Sequence, residues 1–158
     1  RKLYIDAMLI GMDWELEGPN ADVSQELEVE GMTGVPGQKG YADYVLWGKD
    51  GRPLAVVEAK KASRDPNEGR IQAALYADCL ERKFHQRPVM FTTNGFDTFF
   101  WDDTAGPQRK VSRIFCKADL ERIIRRRAEK LPLATLPISQ AITDRIYQQA
   151  AIRAALAD

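Results

Sequence analysis

Histidine is nearly missing from this chain, with one residue, His85, among 158. That excludes a multi-histidine metal centre. His85 itself lies in Lys83-Phe84-His85-Gln86-Arg87, which reads as the exposed end of a helix, where a cation is favoured. Cysteine is scarce as well: Cys79 and Cys116 are isolated, so neither a disulfide scaffold nor a zinc knuckle is expected. No apolar run approaches the roughly 20 residues of a membrane span, and no signal peptide is visible. The expectation is a soluble cytoplasmic protein without a membrane partner. Also missing are a phosphate-binding G-x-x-x-x-G-K-[ST] loop, internal repeats and any net charge, since 23 basic side chains balance 23 acidic ones.

What is present is ordinary globular usage, 44% hydrophobic and 29% charged, in a chain long enough to bury a real core. The charges are unevenly placed. Residues 1–30 carry eight acidic side chains against two basic, and residues 109–130 carry nine basic against three acidic, including Arg125-Arg126-Arg127. Binding to a polyanion follows local potential and not the global sum. The basic segment therefore suits a duplex or a partner subunit as well as a solvated helix face.

The chemistry is concentrated in a short stretch. Ala55-Val56-Val57-Glu58-Ala59-Lys60 runs a buried-type strand straight into a carboxylate and an ammonium, and burying a carboxylate costs several kcal/mol unless cations or donors satisfy it. Tyr41 to Trp47 and Pro53 to Lys60 are rich in strand formers, and Gly48-Lys49-Asp50-Gly51 between them punctuates a hairpin. With Asp50-Gly51 as a two-residue turn, Asp43 faces Glu58. With all four residues in the loop, Asp43 faces Val56, which shares the side of Glu58. Either register gathers Asp43, Glu58 and Lys60 on one face. Opposed carboxylates repel, so a cation between them is expected, and Mg²⁺ suits such oxygen ligands together with substrate phosphate oxygens. A metal so held fits phosphodiester hydrolysis, which needs an activated water and compensation of charge on the phosphate; Lys60 would orient that water or help deprotonate it.

Around this centre, Lys2 to about Met12 has helical spacing on two faces, Leu3/Ala7/Ile10 and Ile5/Leu9/Met12. Glu26 to Glu30 alternates as a strand with Leu27 and Val29 inward, leaving Glu30 as a marginal candidate for the site rim. Glycines 31, 34, 37 and 40 predict a flexible loop that could lie beside bound DNA. Asp65 as N-cap, Pro66 at the first helical position and Glu68 three residues after the cap open a helix that runs through Ile71 to Phe84. Gln72 and Tyr76 share one face of it. Val89 to Thr93 and Phe96 to Trp101 form a hairpin about Asn94-Gly95, with Phe96, Phe99, Phe100 and Trp101 read as packing and not as a base-stacking platform. Asp119 to Lys130 is a helix, and Pro132 and Pro137 mark a domain exit.

The order Asp43, a gap, then Glu58-Ala59-Lys60 resembles the PD-(D/E)XK nuclease signature, with Ala42 in place of the proline. Gln72-x-x-x-Tyr76 resembles the accessory motif of the nuclease domain in the motor (R) subunit of type I restriction enzymes. The opening Arg1-Lys2-Leu3-Tyr4-Ile5-Asp6, with Gly11-Met12-Asp13-Trp14 behind it, resembles the start of that domain. Tyr147-Gln148-Gln149-Ala150-Ala151-Ile152 is similar to the lead-in to superfamily 2 helicase motors.

The resemblance implies an α/β fold of the restriction-endonuclease-like class, a mixed sheet flanked by helices. It implies a nuclease domain over residues 1–131, and over 132–158 a linker and lead-in helix to a helicase-like motor lying downstream. The catalytic residues would be Asp43, Glu58 and Lys60, with Mg²⁺ on Asp43, Glu58 and the Ala59 carbonyl, and Gln72 and Tyr76 contacting DNA or bracing the site. A further acidic residue on the first helix is common in the superfamily; it would lie upstream of Arg1, with Asp6 the nearest candidate within the chain. In the family, the domain cuts double-stranded DNA after ATP-driven translocation, alongside methylation (M) and specificity (S) subunits. ATP would act at the motor, and S-adenosylmethionine in the wider assembly. Two alternatives stay open: another PD-(D/E)XK nuclease of repair or recombination, or a catalytically silent module for DNA binding or subunit docking.

Overall fold

The structure, a computed structural model, describes residues 2–32, 34, 36–61, 63–129, 150, 151, 154 and 155. The elements in chain order are α1 (Lys2–Ile10), β1 (Val23–Glu30), β2 (Lys39–Trp47), β3 (Pro53–Ala59), α2 (Arg70–Phe84), β4 (Val89–Thr93), β5 (Thr98–Trp101), β6 (Arg109–Val111) and α3 (Lys117–Glu129). The chain divides into two compact units, Arg1–Arg125 and Arg126–Asp158. All six strands belong to the first. The exit expected at Pro132 and Pro137, and most of the lead-in motif around Tyr147, lie outside the described residues.

The strands form one sheet in sequence order. Every neighbouring pair is antiparallel except β3 and β4, which run parallel. A parallel pair needs a crossover, and α2 supplies it. All seven residues of β3 are buried, the continuous apolar pattern of a strand covered on both faces. On one face Tyr44, Leu46, Val57, Phe91 and Phe100 pack with Ile5 and Leu9 of α1 and Leu120 of α3. On the other, Val45 and Val56 pack with Tyr76, Cys79 and Leu80 of α2. The α1 face that enters the core is therefore the Ile5/Leu9 one, while Leu3 and Ile10 of the alternative face are exposed.

The β2–β3 hairpin reaches one of the two expected registers by a different route. Its loop is three residues long, Lys49-Asp50-Gly51, closed by Gly48 N–H to the Arg52 carbonyl, and Gly51 sits at φ 74°. This is a tight turn ending in a left-handed residue, which glycine adopts without a Cβ penalty. The loop sets Trp47 against Pro53, and a bulge then shifts the ladder so that Leu46 faces Ala55 and Tyr44 faces Val57. One further step in that register sets Asp43 against Glu58. On its other side, β2 pairs with β1, where Glu26, at φ 49°, drops out of the ladder opposite Asp43.

Asp65 caps a single 3-10 turn, Pro66–Gly69, by accepting the Asn67 N–H at 2.9 Å, and α2 follows directly. The helix ends on His85 in the left-handed conformation and exposed. The aromatic hairpin is shorter than Phe96–Trp101, since β5 begins at Thr98. Phe100 is buried, but Phe96 is exposed and its ring lies 5.5 Å from that of Tyr4.

Candidate active site

Asp43, Glu58, Ala59, Lys60 and Gln72 line one open cleft of about 380 Å³ together with Tyr41, Lys61 and Arg64. β2 contributes Tyr41 and Asp43. The end of β3 and the residues after it contribute Glu58, Ala59, Lys60, Lys61 and Arg64, and the first turn of α2 contributes Gln72. The cleft forms where β3 stops being paired on one side: Ala59 is its last strand residue, and the Lys60 N–H still donates to the Thr93 carbonyl at 2.7 Å. The chain is thus anchored to β4 while its side chains turn outward from the sheet.

Glu58 is only 3% exposed, so its charge requires compensation. Lys60 Nζ donates to Glu58 Oε1 at 2.9 Å and to Gln72 Oε1 at 3.1 Å. The chain continues: Gln72 Nε2 donates to the Tyr76 hydroxyl at 2.8 Å, which donates to the Tyr41 carbonyl at 2.9 Å. Asp43 is fixed separately, its Oδ2 accepting the Ala59 N–H at 2.7 Å. Burial, with a lesser contribution from the charges of Glu58 and Asp43, pushes the Tyr76 phenol above its ordinary range against the lowering effect of the Gln72 hydrogen bond. Tyr76 therefore keeps its proton and stays a donor. The network joins three elements, β2, β3 and α2, through the two residues of the Gln-x-x-x-Tyr spacing.

Other expected residues fall elsewhere. Asp6 accepts a hydrogen bond from the Tyr44 hydroxyl at 2.9 Å and does not line the cleft. Glu30 pairs with Lys39 on the sheet edge. Among the described residues no group of three or more acidic, cysteine or histidine side chains is placed to hold a metal ion, so any metal here would rest on two carboxylates supplemented by backbone or substrate oxygens.

Four residues of the site were missed by pattern reading. Arg64 stands at the cleft mouth, exposed, 3.4 Å from Glu68. Asn94, read only as a turn residue, accepts the Phe96 and Asp97 N–H groups and donates to the Arg64 carbonyl at 3.2 Å, tying the cleft loop to the β4–β5 turn. Gly40 lies inside β2 and not in the preceding loop, against the ring of Tyr76. Gly69 lies against Glu58 and Lys60. The Asn94–Arg64 bond and the contacts of Gly40 and Gly69 have no local sequence signal, because each joins segments that only the fold brings together.

A mixed sheet with helices on both faces, carrying an Asp and a Glu-x-Lys on adjacent strands beside a crossover helix, defines an α/β protein of the restriction-endonuclease-like class. Residues 17–109 match the family described as Type I restriction enzyme R protein N terminus. That match covers more than half of the chain, which belongs to this family. The chain is 42% identical over 64 residues to the type I restriction enzyme EcoAI endonuclease subunit of Escherichia coli, a match covering 40% of this chain and 7% of that subunit. Its fold is similar to a solved fragment assigned as an HsdR subunit of a type I restriction enzyme from Vibrio vulnificus YJ016. The TM-score is 0.63 at 25% identity, over 98% of this chain and 30% of that one. The chain thus corresponds to a small part of the length of either relative. No helix among the described residues is long and apolar enough to cross a membrane.

Proposed function

We propose that this domain is the cleavage module of a type I restriction R subunit, hydrolysing phosphodiester bonds of double-stranded DNA at the Asp43–Glu58–Lys60 cleft. The observation that carries the reading is the convergence of these three side chains with Gln72 in one solvent-open cleft, with Glu58 buried and ion-paired. A structural ion pair alone has no reason to face an open cleft lined also by Lys61 and Arg64. The donor chemistry fits a hard divalent cation: Asp43, Glu58 and the Ala59 carbonyl offer oxygen atoms only, and Mg²⁺ commonly takes one or two carboxylates and completes its shell with water and phosphate. When bound, such a cation lowers the pKa of water and offsets charge on the phosphate.

The protein's own residues do the remaining work. Glu58 and Asp43 hold negative charge at the cleft floor, each oriented by a hydrogen bond. Lys60, held by Gln72 at the cleft, would orient an attacking water or help deprotonate it. Tyr76 fixes Gln72 from behind, so Gln72 and Tyr76 brace the site and only Gln72 reaches the cleft. Lys61 and Arg64 offer phosphate contacts at the mouth. In the intact assembly, ATP acts at a downstream motor, M and S subunits are the partners, the recognition sequence is read by another subunit, S-adenosylmethionine acts outside this domain, and the enzyme works in the cytoplasm.

The test uses the intact R subunit in its assembly. Asp43→Ala and Glu58→Ala should each abolish Mg²⁺-dependent plasmid cleavage while leaving ATP hydrolysis in place. Cleavage by either variant near the wild-type rate would overturn the site assignment.

A further inference from the structure

Gly69 stands at the start of α2 with φ −82° and ψ −7°, in the right-handed helical region. Alanine occupies that region as readily as glycine. The backbone therefore gives no reason for glycine here. The packing does. A Cβ at position 69 would lie 2.7 Å from Glu58 Cγ and 3.0 Å from Lys60 Cε, well inside the ordinary 3.5–4.0 Å carbon contact. Lys60 Cε belongs to a long side chain that can give way, but Glu58 Cγ sits in the middle of a buried one. It is confined by the strand beneath it, by Thr92 as its β4 partner and by the Lys60 ammonium at its carboxylate.

We propose that Gly69 is a positioning residue of the cleft: by withholding a side chain it lets the backbone of the helix start close directly over Glu58 and Lys60, and so sets where the carboxylate and ammonium point. The same closure carries Gln72, three residues further on, to within hydrogen-bonding distance of Lys60. A methyl group at position 69 forces either the helix start away from the sheet, which lengthens the Lys60–Gln72 bond, or the Glu58 side chain out of its rotamer, which turns the carboxylate away from Lys60. Both outcomes alter the cleft without altering the core beneath it. This inference deepens the reading of the cleft as a nuclease site and rests on it only for the cleavage and Mn²⁺ readouts.

The experiment is a double-mutant cycle in the intact R subunit, comparing wild type, Gly69→Ala, Glu58→Ala and the double variant. Thermal unfolding of this domain, Mn²⁺ binding without nucleotide and plasmid cleavage are the readouts. In the wild-type background Gly69→Ala should lower the Tm by several degrees, as expected for overpacking. With the Glu58 side chain removed, the same change should lower the Tm far less, because the main clash, with Glu58 Cγ, is gone. Gly69→Ala should also reduce cleavage and Mn²⁺ affinity at least about tenfold, corresponding to about 1.4 kcal/mol. An equal Tm effect in both backgrounds overturns the proposal, as does a stable Gly69→Ala protein with cleavage within about twofold of wild type. If Glu58→Ala leaves cleavage and Mn²⁺ binding unchanged, the nuclease reading fails, while the Glu58 coupling in the unfolding data still decides the packing claim.

Discussion

At the scale of single residues, the proposed function assigns adjacent lysines different roles, one chemical and one electrostatic. Lys60 has a side chain 19% exposed and holds both Glu58 and Gln72, whereas Lys61 is exposed at the cleft rim. Lys60→Ala should therefore lower cleavage by about 10²-fold or more, the range for loss of a group that assists proton transfer. Lys61→Ala removes one phosphate contact and should cost little at low salt. Single-turnover cleavage by the two variants measures the ranking, and the reverse order would place the attacking water elsewhere. Tyr76 offers a pH-dependent check. Its hydroxyl donates to Tyr41 and accepts from Gln72, and its pKa is raised above the ordinary value of 10.0, chiefly by burial. A group whose folded pKa is raised contributes stability that is complete below its unfolded pKa and is lost as pH rises through the folded one. Wild type should consequently lose more stability than Tyr76→Phe as pH is raised above 10.0. At neutral pH Tyr76→Phe should itself cost about 1–2 kcal/mol, because two hydrogen bonds to a buried hydroxyl disappear. Parallel alkaline unfolding curves for the two proteins would show that Tyr76 does not keep its proton for the reason given.

At the scale of elements, α2 is clamped at both ends, and the two clamps have different purposes. Its start closes over the cleft, and Gly40 permits that closure: a Cβ there would come within 2.8 Å of Tyr76 Cε1 and 3.1 Å of its hydroxyl, and would meet Met32 Sδ as well. Gly40→Ala should destabilise the domain by about 1–3 kcal/mol and slow cleavage through a displaced Tyr76–Gln72 pair. Wild-type unfolding and cleavage in that variant would contradict this packing. Just beyond the other end of α2, Arg87 binds Asp103 through Nε at 2.8 Å and Nη2 at 2.5 Å, and reaches Asp78 and Glu81 through Nη1. These carboxylates, Asp103 foremost, hold the guanidinium further toward its charged form. Arg87→Ala should cost about 1.5–3 kcal/mol of stability, since it strands the mostly buried Asp103 while Asp78 and Glu81, about half exposed, are screened by solvent, yet leave the cleft in place; a denaturation midpoint unchanged from wild type would refute it. The sequence made much of this layer legible where the signal is local. The Asp65-Pro66 helix start, the Ala55–Val57 strand and the Asn94-Gly95 turn each follow from short-range chemistry. The route of the β2–β3 hairpin was not legible, because the three-residue turn and the bulge beside Trp47 offset each other and leave at Asp43 the register a simpler turn would give. β6, Arg109-Lys110-Val111, is too short and too charged to announce itself. The Asn94–Arg64 bond and the contacts of Gly40 and Gly69 arise only where the fold brings separate segments together.

At the scale of the whole molecule, the charge asymmetry visible along the sequence is partly consumed by folding. Asp22 from the acidic N-terminal stretch pairs with Lys117 of the basic one. Glu28 and Glu30 pair with Lys39, holding the Glu28 carboxyl below its usual range and the Lys39 amine above its own. Lys110 pairs with Asp97 and Arg122 with Asp119. Of the basic groups lining the cleft, Lys60 is occupied by Glu58, which leaves Lys61 and Arg64 as its contribution to a phosphate backbone, the latter shared with Glu68. Affinity for a duplex depends on how many phosphates are neutralised, log K falling against log salt with a slope of about −0.9 per phosphate on B-DNA. Two such cations give a slope near −2, too shallow for tight capture at physiological ionic strength. The proposed division of labour follows: this domain cuts, and other parts of the subunit and assembly hold the DNA. The 158-residue chain alone should bind duplex DNA weakly with a slope near −2 and cut it poorly at any Mg²⁺ concentration. The intact subunit should show a much steeper slope and ATP-dependent cutting. Salt titrations of binding and plasmid cleavage, run on both proteins at equal Mg²⁺, decide the matter. Robust cutting by the short chain without ATP would overturn the motor-coupled reading and make the domain a self-sufficient nuclease.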